Sequence, residues 1–582
     1  MQTETAEHSK RMEWAARATG LLPLFVFAAA CMALPQTAAG EAFRLVLPWV
    51  PGLDVNLSFV FDGLSLLFIL IVSGVGFFVT LYAVDYLHGH PHTGRFFVFL
   101  HAFMLSMLGL VTADNLLALF VFWELTTVFS YLLIGFEHEA EASRKSARQA
   151  LLVTGAGGLS LLAGFLLLEM ATGTYEISQM GEAAASLAGH PLYPAILVLV
   201  FIGAFTKSAQ FPFHFWLPNA MAAPAPISAF LHSATMVKAG IYLLARLHPI
   251  LAGSAAWTAP LMLIGAVTAV GGALLALGQQ DLKKILAYTT ITALGVMTLF
   301  LGGLKTASLT AAMTFLLVHS LYKSSLFLAA GIIDHQTGTR QIDRLGGLLR
   351  PMPATAFAAT AACLSMAGFP LFFGFIGKEI MYKGALAETL CPELAVTAAL
   401  LANALMTAVA GILIIRPFLG REGVYERPVR EAPAVMWAGP VILGGVGILF
   451  GIIPDWVGRW LVEPAVHSFH STTETVHLVL FHGINNPLLL SLLTLTLGIA
   501  FYFSRRWIYR GVTWVTEKMP FSAAGVYEAC VKGVAGLGRL EVGLIQNGSL
   551  HRYFFIVAGT FVLAVGYSYL GHGPELDRKS VV

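Results

Sequence analysis

Apolar runs long enough to cross a bilayer recur along almost the whole of this chain. Hydropathy marks fifteen: 19–35, 59–83, 96–112, 114–135, 149–170, 195–217, 225–247, 259–277, 284–301, 308–333, 354–385, 394–417, 433–453, 487–503 and 554–570. Hydrocarbon offers no water to a peptide group, so a spanning segment must be a helix or part of a closed barrel. Runs of roughly 20 residues fit helices. The expected fold is therefore an all-α polytopic membrane protein without a separate soluble domain, and its 354–385 segment looks broken. Composition agrees: 57% of the 582 residues are hydrophobic and only 11% charged, with mean hydropathy +0.76, whereas soluble domains average about 25% charged. A net charge of +2 gives no reason to expect nucleic acid. Cys31, Cys363, Cys391 and Cys530 lack the paired spacing of iron–sulfur or zinc ligands. With no Gly-rich phosphate loop either, no metal, cofactor or ATP site is read.

Orientation follows from the basic residues, because cytoplasmic loops carry the excess of Lys and Arg. Of the 34, the N-terminus and the loops after even-numbered spans hold 23. Segments after odd spans hold six, or eight with Lys378 and Lys383. The remaining three, Lys207, Lys238 and Lys323, lie inside spans. The N-terminus is thus expected in the cytoplasm and the C-terminus outside. Lys10, Arg11 and Arg17 before the run Leu21–Leu34 leave two readings, a signal peptide or a first span; the long polar lead favours a span.

Two spans carry a proline break. Gln210-Phe211-Pro212-Phe213-His214-Phe215 and Gly368-Phe369-Pro370-Leu371-Phe372-Phe373 each interrupt an apolar run. Proline removes a helix hydrogen bond and clashes with the preceding turn. Such breaks persist at membrane depth where they are buried in protein or line a wet cavity. Pro212 and Pro370 are therefore candidate hinges. They lie five spans apart, and an odd-numbered unit that repeats must invert, so spans 3–7 and 8–12 are expected to be inverted repeats, unless the two breaks coincide by chance. The division is then 1–95 for N-terminal helices, 96–247 and 259–417 for the repeats, and 418–582 for C-terminal helices. Within the last, 504–553 reads as an amphipathic segment along the membrane surface or as a plain connecting loop.

Glu124, Lys207, Lys238 and Lys323 each lie deep in an apolar span. A charge at such depth costs about 2.5–3.5 kcal/mol even on lenient scales, so it normally faces a polar interior. Glu124 and Lys207 form an electrostatic switch or a static buried ion pair. Lys238 has no route to the interface from mid-span, so a functional role is expected. His232, six residues before it, is a relay group or a packing residue; on an ideal helix the two stand about 240° apart. His319 and Lys323 share a helix face at i,i+4 and, with Ser320 and Tyr322, suit a proton relay or a packing contact. Lys378 is a terminal proton site or an interfacial anchor. Lys283 and Lys284 open span 9 on the cytoplasmic side, with Lys284 a candidate uptake site that orientation alone also explains. Asp62, Asp85 and Asp114 sit near span ends, where capping is the default.

These residues resemble a known superfamily. Phe61-Asp62-Gly63-Leu64-Ser65, Asp114-Asn115-Leu116-Leu117 running into Trp123-Glu124-Leu125-Thr126, and Tyr131 through Phe136 look like the antiporter-like subunits of complex I and of Mrp-type cation/proton antiporters. So do Lys207 through Pro218, His232 through Gly240, Asp281 through Tyr288 and His319 through Leu328. The resemblance implies two inverted five-helix repeats, each with a broken helix. It also implies a midplane charge chain: Glu124 with Lys207, then Lys238, His319 and Lys323, then Lys378. Trp123 through Thr126 and the tail Gln546-Asn547-Gly548-Ser549-Leu550 are most similar to the large Mrp A-type subunit, and the segment before the last span to the lateral helix of such subunits. Against that pattern one helix before Phe61 is not found. The chain also ends near residue 582, short of the further membrane domain of typical A-type subunits, expected here as a separate subunit unless the chain serves another complex.

The expected function is that of a proton-translocating subunit, not an enzyme, in a multi-subunit Mrp-type sodium/proton antiporter of the cytoplasmic membrane, with other membrane subunits as partners. Two alternatives stay open: a proton-pumping subunit of a complex I-like respiratory complex or membrane-bound hydrogenase, and the proton-flux partner of an inorganic carbon transporter.

Overall fold

A computed structural model describes residues 18–571 except 54, 482, 519–521 and 546–547. Lys10, Arg11, Arg17, Gln546 and Asn547, used above, lie outside the described residues. The described residues form a large unit up to Glu517 and a small one from Lys518. Among them, twelve helices are long and apolar enough to cross a membrane, and three shorter apolar ones (Leu21–Met32, Tyr193–Lys207 and Pro353–Ala367) accompany them.

The all-α expectation needs one correction. After α1 (Leu21–Met32) comes an antiparallel hairpin, β1 (Phe43–Val50) and β2 (Val55–Phe61), in the register Phe43↔Phe61, Leu45↔Phe59 and Leu47↔Leu57. Apolar residues at every second position, Phe43, Leu45, Leu47 and Trp49 before Pro51-Gly52 and Val55, Leu57, Phe59 and Phe61 after it, favour this pairing. Arg44 anchors the hairpin, with its guanidinium 2.7 Å from Asp114 and 2.6 Å from Glu176. Glu176 also accepts hydrogen bonds from Ser58 and Asn115. In the next helix, α2 (Gly63–Tyr86), Asp62 is the N-cap: its carboxylate accepts from the Ser65 amide and pairs with Arg246 at 2.5 and 2.9 Å.

The middle of the chain runs α3 (Thr93–Thr112), α4 (Leu116–Ile134), α5 (Glu141–Thr172), α6 (Tyr193–Lys207), α7 (Ala225–Ser233) and α8 (Ala239–Leu251). It continues with α9 (Ala255–Leu277), α10 (Leu282–Leu301), α11 (Thr306–Thr337), α12 (Pro353–Ala367), α13 (Phe373–Ala387) and α14 (Pro392–Ile414). Several details recur between the two series. Helices α5 and α11 are each 32 residues long and end on a left-handed glycine, Gly173 at φ 76° and Gly338 at φ 71°. Asn115 caps α4 and Asp281 caps α10, and each also bridges to the strand-like stretch beyond the long helix, at Glu176 and Gln341. Close contact between α9 and α10 depends on Gly265 and Gly295, where an added Cβ would lie within 3 Å of the facing backbone.

Both expected breaks are present. Tyr193–Lys207 is separated from the short helix Trp216–Asn219, and α12 from α13. A third break was not expected: the 225–247 span divides after Ser233, and Met236–Lys238 forms a 3-10 turn. No proline or glycine marks it. Hydroxyls stand in instead, with Ser233 donating to Ala229 O and Thr235 to Phe230 O, a mode of side-chain competition that bends helices.

Helix α15 (Ala434–Ile452) is followed by α16 (Asn486–Lys518). The 504–553 segment is therefore not one surface element: its first part extends α16, since no proline occurs between Pro487 and Pro520 to stop that helix. The small unit contains α17 (Ala523–Ile545), apolar on one face, and the apolar α18 (Leu550–Gly571).

Candidate functional site: a line of buried lysines

Lys207 is the last residue of α6, directly before the first break. Ala209 there has φ 47°, and the Trp216 indole donates to Thr206 O across the gap at 2.9 Å. Lys207 is fully buried. Its ammonium donates to Trp123 O at 3.0 Å and to the Thr127 hydroxyl at 2.7 Å, and lies 5.0 Å from the Trp123 ring. Glu124 is not within ion-pair distance of Lys207. Its Oε1 is buried and accepts no hydrogen bond among the described residues. The carboxylate rests against α5, where a Cβ at Gly158 would come within 1.8 Å of Oε1. Ser208 donates to Val237 O at 2.6 Å, which joins the first break to the one in the next span.

Lys238 sits in the break after Ser233. The 240° separation from His232 presumed one continuous helix, and the interruption removes its basis. The Lys238 ammonium donates to Leu316 O at 3.3 Å and to the Ser320 hydroxyl on α11. One turn along α11, the Ser324 hydroxyl meets that of Ser233 at 2.7 Å and donates to Ser320 O at the same distance. Lys323, on the same helix, donates to Leu286 O at 3.3 Å and to the Thr289 hydroxyl on α10. His319 packs its ring 5.4 Å from that of Tyr322, and His232 lies among Trp216 and Phe327. Both imidazoles are buried, and none of their ring nitrogens has a hydrogen bond among the described residues.

Lys378 is buried, not an exposed anchor. It reaches from α13 back across the α12–α13 break to donate to Ala367 O, the last carbonyl of α12. Gly368, at φ 67°, leaves room for it: a Cβ there would come within 2.4 Å of the Lys378 side chain. Pro212 and Pro370 both lie within their breaks. At the start of α10 the two lysines differ. Lys284 is exposed, whereas Lys283 is buried and donates to Ala223 O.

Among the described residues, none of Lys207, Lys238, Lys323 and Lys378 has a carboxylate within ion-pair distance; each faces carbonyls or hydroxyls. An ammonium so placed can give up its proton, and a hydroxyl can accept and donate at once. Two of the four, Lys207 and Lys238, sit at helix breaks, and Lys378 reaches back across another. Thr127, Thr289, Ser233 and Ser324 escaped the sequence reading. Their signal is a hydroxyl inside an apolar span within reach of a lysine, and spacing along one chain does not disclose which helix will face which.

Fold and site together define a many-helix membrane protein that holds uncompensated ionisable groups in its interior at interrupted helices. Comparison sharpens this class. Residues 113–407 match the family model described as "NADH:quinone oxidoreductase/Mrp antiporter, TM", and residues 48–97 that of "NADH-Ubiquinone oxidoreductase (complex I), chain 5 N-terminus". The chain is 37% identical over 579 residues to the Na(+)/H(+) antiporter A subunit of Alkalihalophilus pseudofirmus, covering 94% of this chain and 72% of that one. It is 41% identical to the probable K(+)/H(+) antiporter A/B subunit of Rhizobium meliloti, over 84% of this chain and 49% of that one. The Mrp complex of a Dietzia species superposes with TM-score 0.86 at 32% identity, over 98% of this chain and 62% of that chain. Respiratory complex I of Thermus thermophilus superposes with TM-score 0.66 at 26% identity, over 78% and 93%. The chain belongs to the NADH:quinone oxidoreductase/Mrp antiporter transmembrane family. It spans about half to three quarters of the length of these antiporter relatives.

Proposed function

We propose that this chain is the proton-translocating membrane subunit of a multi-subunit Mrp-type cation/proton antiporter, a transporter component and not an enzyme. The observation that carries the reading is the set of buried lysines that face only hydroxyls and carbonyls. Protons pass between Lys207, Lys238, Lys323 and Lys378, with His319 and the Ser320–Ser324–Ser233 hydroxyls between them. Glu124 modulates Lys207 from beside Gly158, His232 is a further relay candidate, and Lys283 is a better placed uptake group than Lys284. Pro212 and Pro370 act as hinges. The transported cation is sodium or potassium, since relatives named for each are similar to this chain.

Fifteen spans are proposed, the twelve long helices plus the three shorter apolar ones. Residues 96–247 and 259–417 are read as inverted repeats, with 1–95 and 418–582 flanking them. The matched lengths of α5 and α11, their glycine ends and the paired bridges of Asn115 and Asp281 support that reading. The N-terminus is assigned to the cytoplasm, the C-terminus to the outside, the chain to the cytoplasmic membrane, and α17 to its surface as a lateral helix.

The test is cation-dependent proton exchange in inverted vesicles that carry the whole complex, wild type against Lys207→Ala. Sodium- or potassium-driven exchange that falls at least tenfold in the variant is expected. Exchange left intact by Lys207→Ala would remove Lys207 from the path. Acidification by redox substrates, without cation exchange, would favour the respiratory reading to which the complex I likeness points.

A further inference from the structure

On the side of the large unit assigned to the cytoplasm, a cavity of about 320 Å³ opens where four connecting segments converge. Arg416 follows α14, and Arg505, Arg506 and Arg510 lie on the part of α16 that runs past its apolar stretch. Gln280 and Asp343, from the segments before α10 and after α11, complete the rim. The wall below is apolar, formed by Leu277, Ile342 and Ile412. Among the described residues, none of the four guanidinium groups has a carboxylate within ion-pair distance, so Asp343 does not neutralise them. Two are held by aromatic residues of their own helix: Arg505 lies 4.3 Å from the Tyr502 ring and donates to Tyr502 O at 2.7 Å, and Arg510 lies 5.8 Å from the Trp507 ring. Trp507 and Trp514 are both exposed on this stretch, and indoles are enriched where headgroups meet hydrocarbon.

Four cations gathered over an apolar wall are unfavourable unless an anion neutralises them, and arginine's planar fork matches phosphate oxygens two at a time. We infer that this cavity binds the phosphodiester headgroup of an anionic membrane phospholipid, with an acyl chain lying along the apolar wall. Basic pockets between helices on the cytoplasmic side suit such lipids, whose leaflet is negatively charged. A soluble phosphate would satisfy the arginines but not the wall. The bound lipid joins α16 to the α9–α10 and α11–α12 connections and so fixes the far end of α16.

The experiment uses the purified full-length chain in detergent, with melting followed as phosphatidylglycerol, phosphatidylcholine or inorganic phosphate is added. Phosphatidylglycerol is expected to raise Tm by several degrees and the neutral lipid not to. Arg505→Gln/Arg506→Gln/Arg510→Gln should lose the shift, while Arg421→Gln, outside the cavity, keeps it. Should the triple variant not fold, Arg506→Gln alone, read by native mass spectrometry, should retain at least tenfold less phosphatidylglycerol than wild type. An equal shift with phosphatidylcholine, a shift reproduced by inorganic phosphate, or full lipid retention by the variants would overturn the assignment.

Discussion

At the scale of single residues, the site is decided by what each ammonium touches. Ser320 gives Lys238 its hydroxyl partner, and a hydrogen bond to a charged group contributes about 1.5–3 kcal/mol. Ser320→Ala is therefore expected to slow proton exchange by roughly tenfold or more, while Ser320→Thr retains most of it; vesicle flux assays distinguish the two. Gly158→Ala should displace the Glu124 carboxylate, because the new methyl overlaps Oε1. Loss of exchange with unchanged elution on size-exclusion chromatography is the expected outcome. Asp62 is a stability residue. Burial alone would push its carboxyl up, but Arg246 and the Ser65 hydrogen bonds outweigh that and hold it below the usual carboxylate value. A depressed carboxylate contributes stability above its unfolded pKa of about 3.9 and loses it as pH falls through the folded value. Asp62→Asn should flatten the acid limb of a Tm-against-pH profile, and Asp62→Ala, which strands a buried Arg246, should cost about 3–5 kcal/mol. The mid-span lysines were legible because a charge stands out in an apolar run. The sequence reading singled out Lys284, whereas Lys283 is the one that turns inward, because both follow the same N-cap and only tertiary packing selects between them.

At the scale of elements, the interruptions matter more than the helices. Two were legible because proline acts on a helix locally, through a lost hydrogen bond and a clash with the preceding turn. The third, after Ser233, was hidden because serine and threonine break a helix only when their hydroxyls find the right carbonyls. The hairpin at 43–61 was passed over although its alternation could be read, because hydropathy summed over a window blurs a period of two. Glycine ends are testable here: Gly338→Ala, at φ 71°, should cost about 1–2 kcal/mol of stability with transport per folded molecule preserved. Gly368→Ala also overlaps Lys378 and should abolish exchange. Flux normalised to folded protein separates these outcomes.

At the scale of the whole molecule, two native thiols report orientation without added tags. Cys391, between α13 and α14, falls on the side assigned to the exterior, and exposed Cys530, on α17, on the cytoplasmic side. A membrane-impermeant maleimide applied to intact cells is expected to label Cys391 and spare Cys530, with the reverse in inverted vesicles. The same pattern from both sides would refute the proposed topology. The many-helix membrane fold was legible because hydropathy is a property of each segment alone, whereas the pairing of breaks across helices depends on a packing that no segment encodes. One consequence extends to the thermodynamics of the cycle. In the Ser233–Ser324 contact either oxygen can be the donor, so that link has no built-in arrow. On the proposed path a proton can cross that contact from either side, so the contact imposes no direction and the combined driving force of the two ions does.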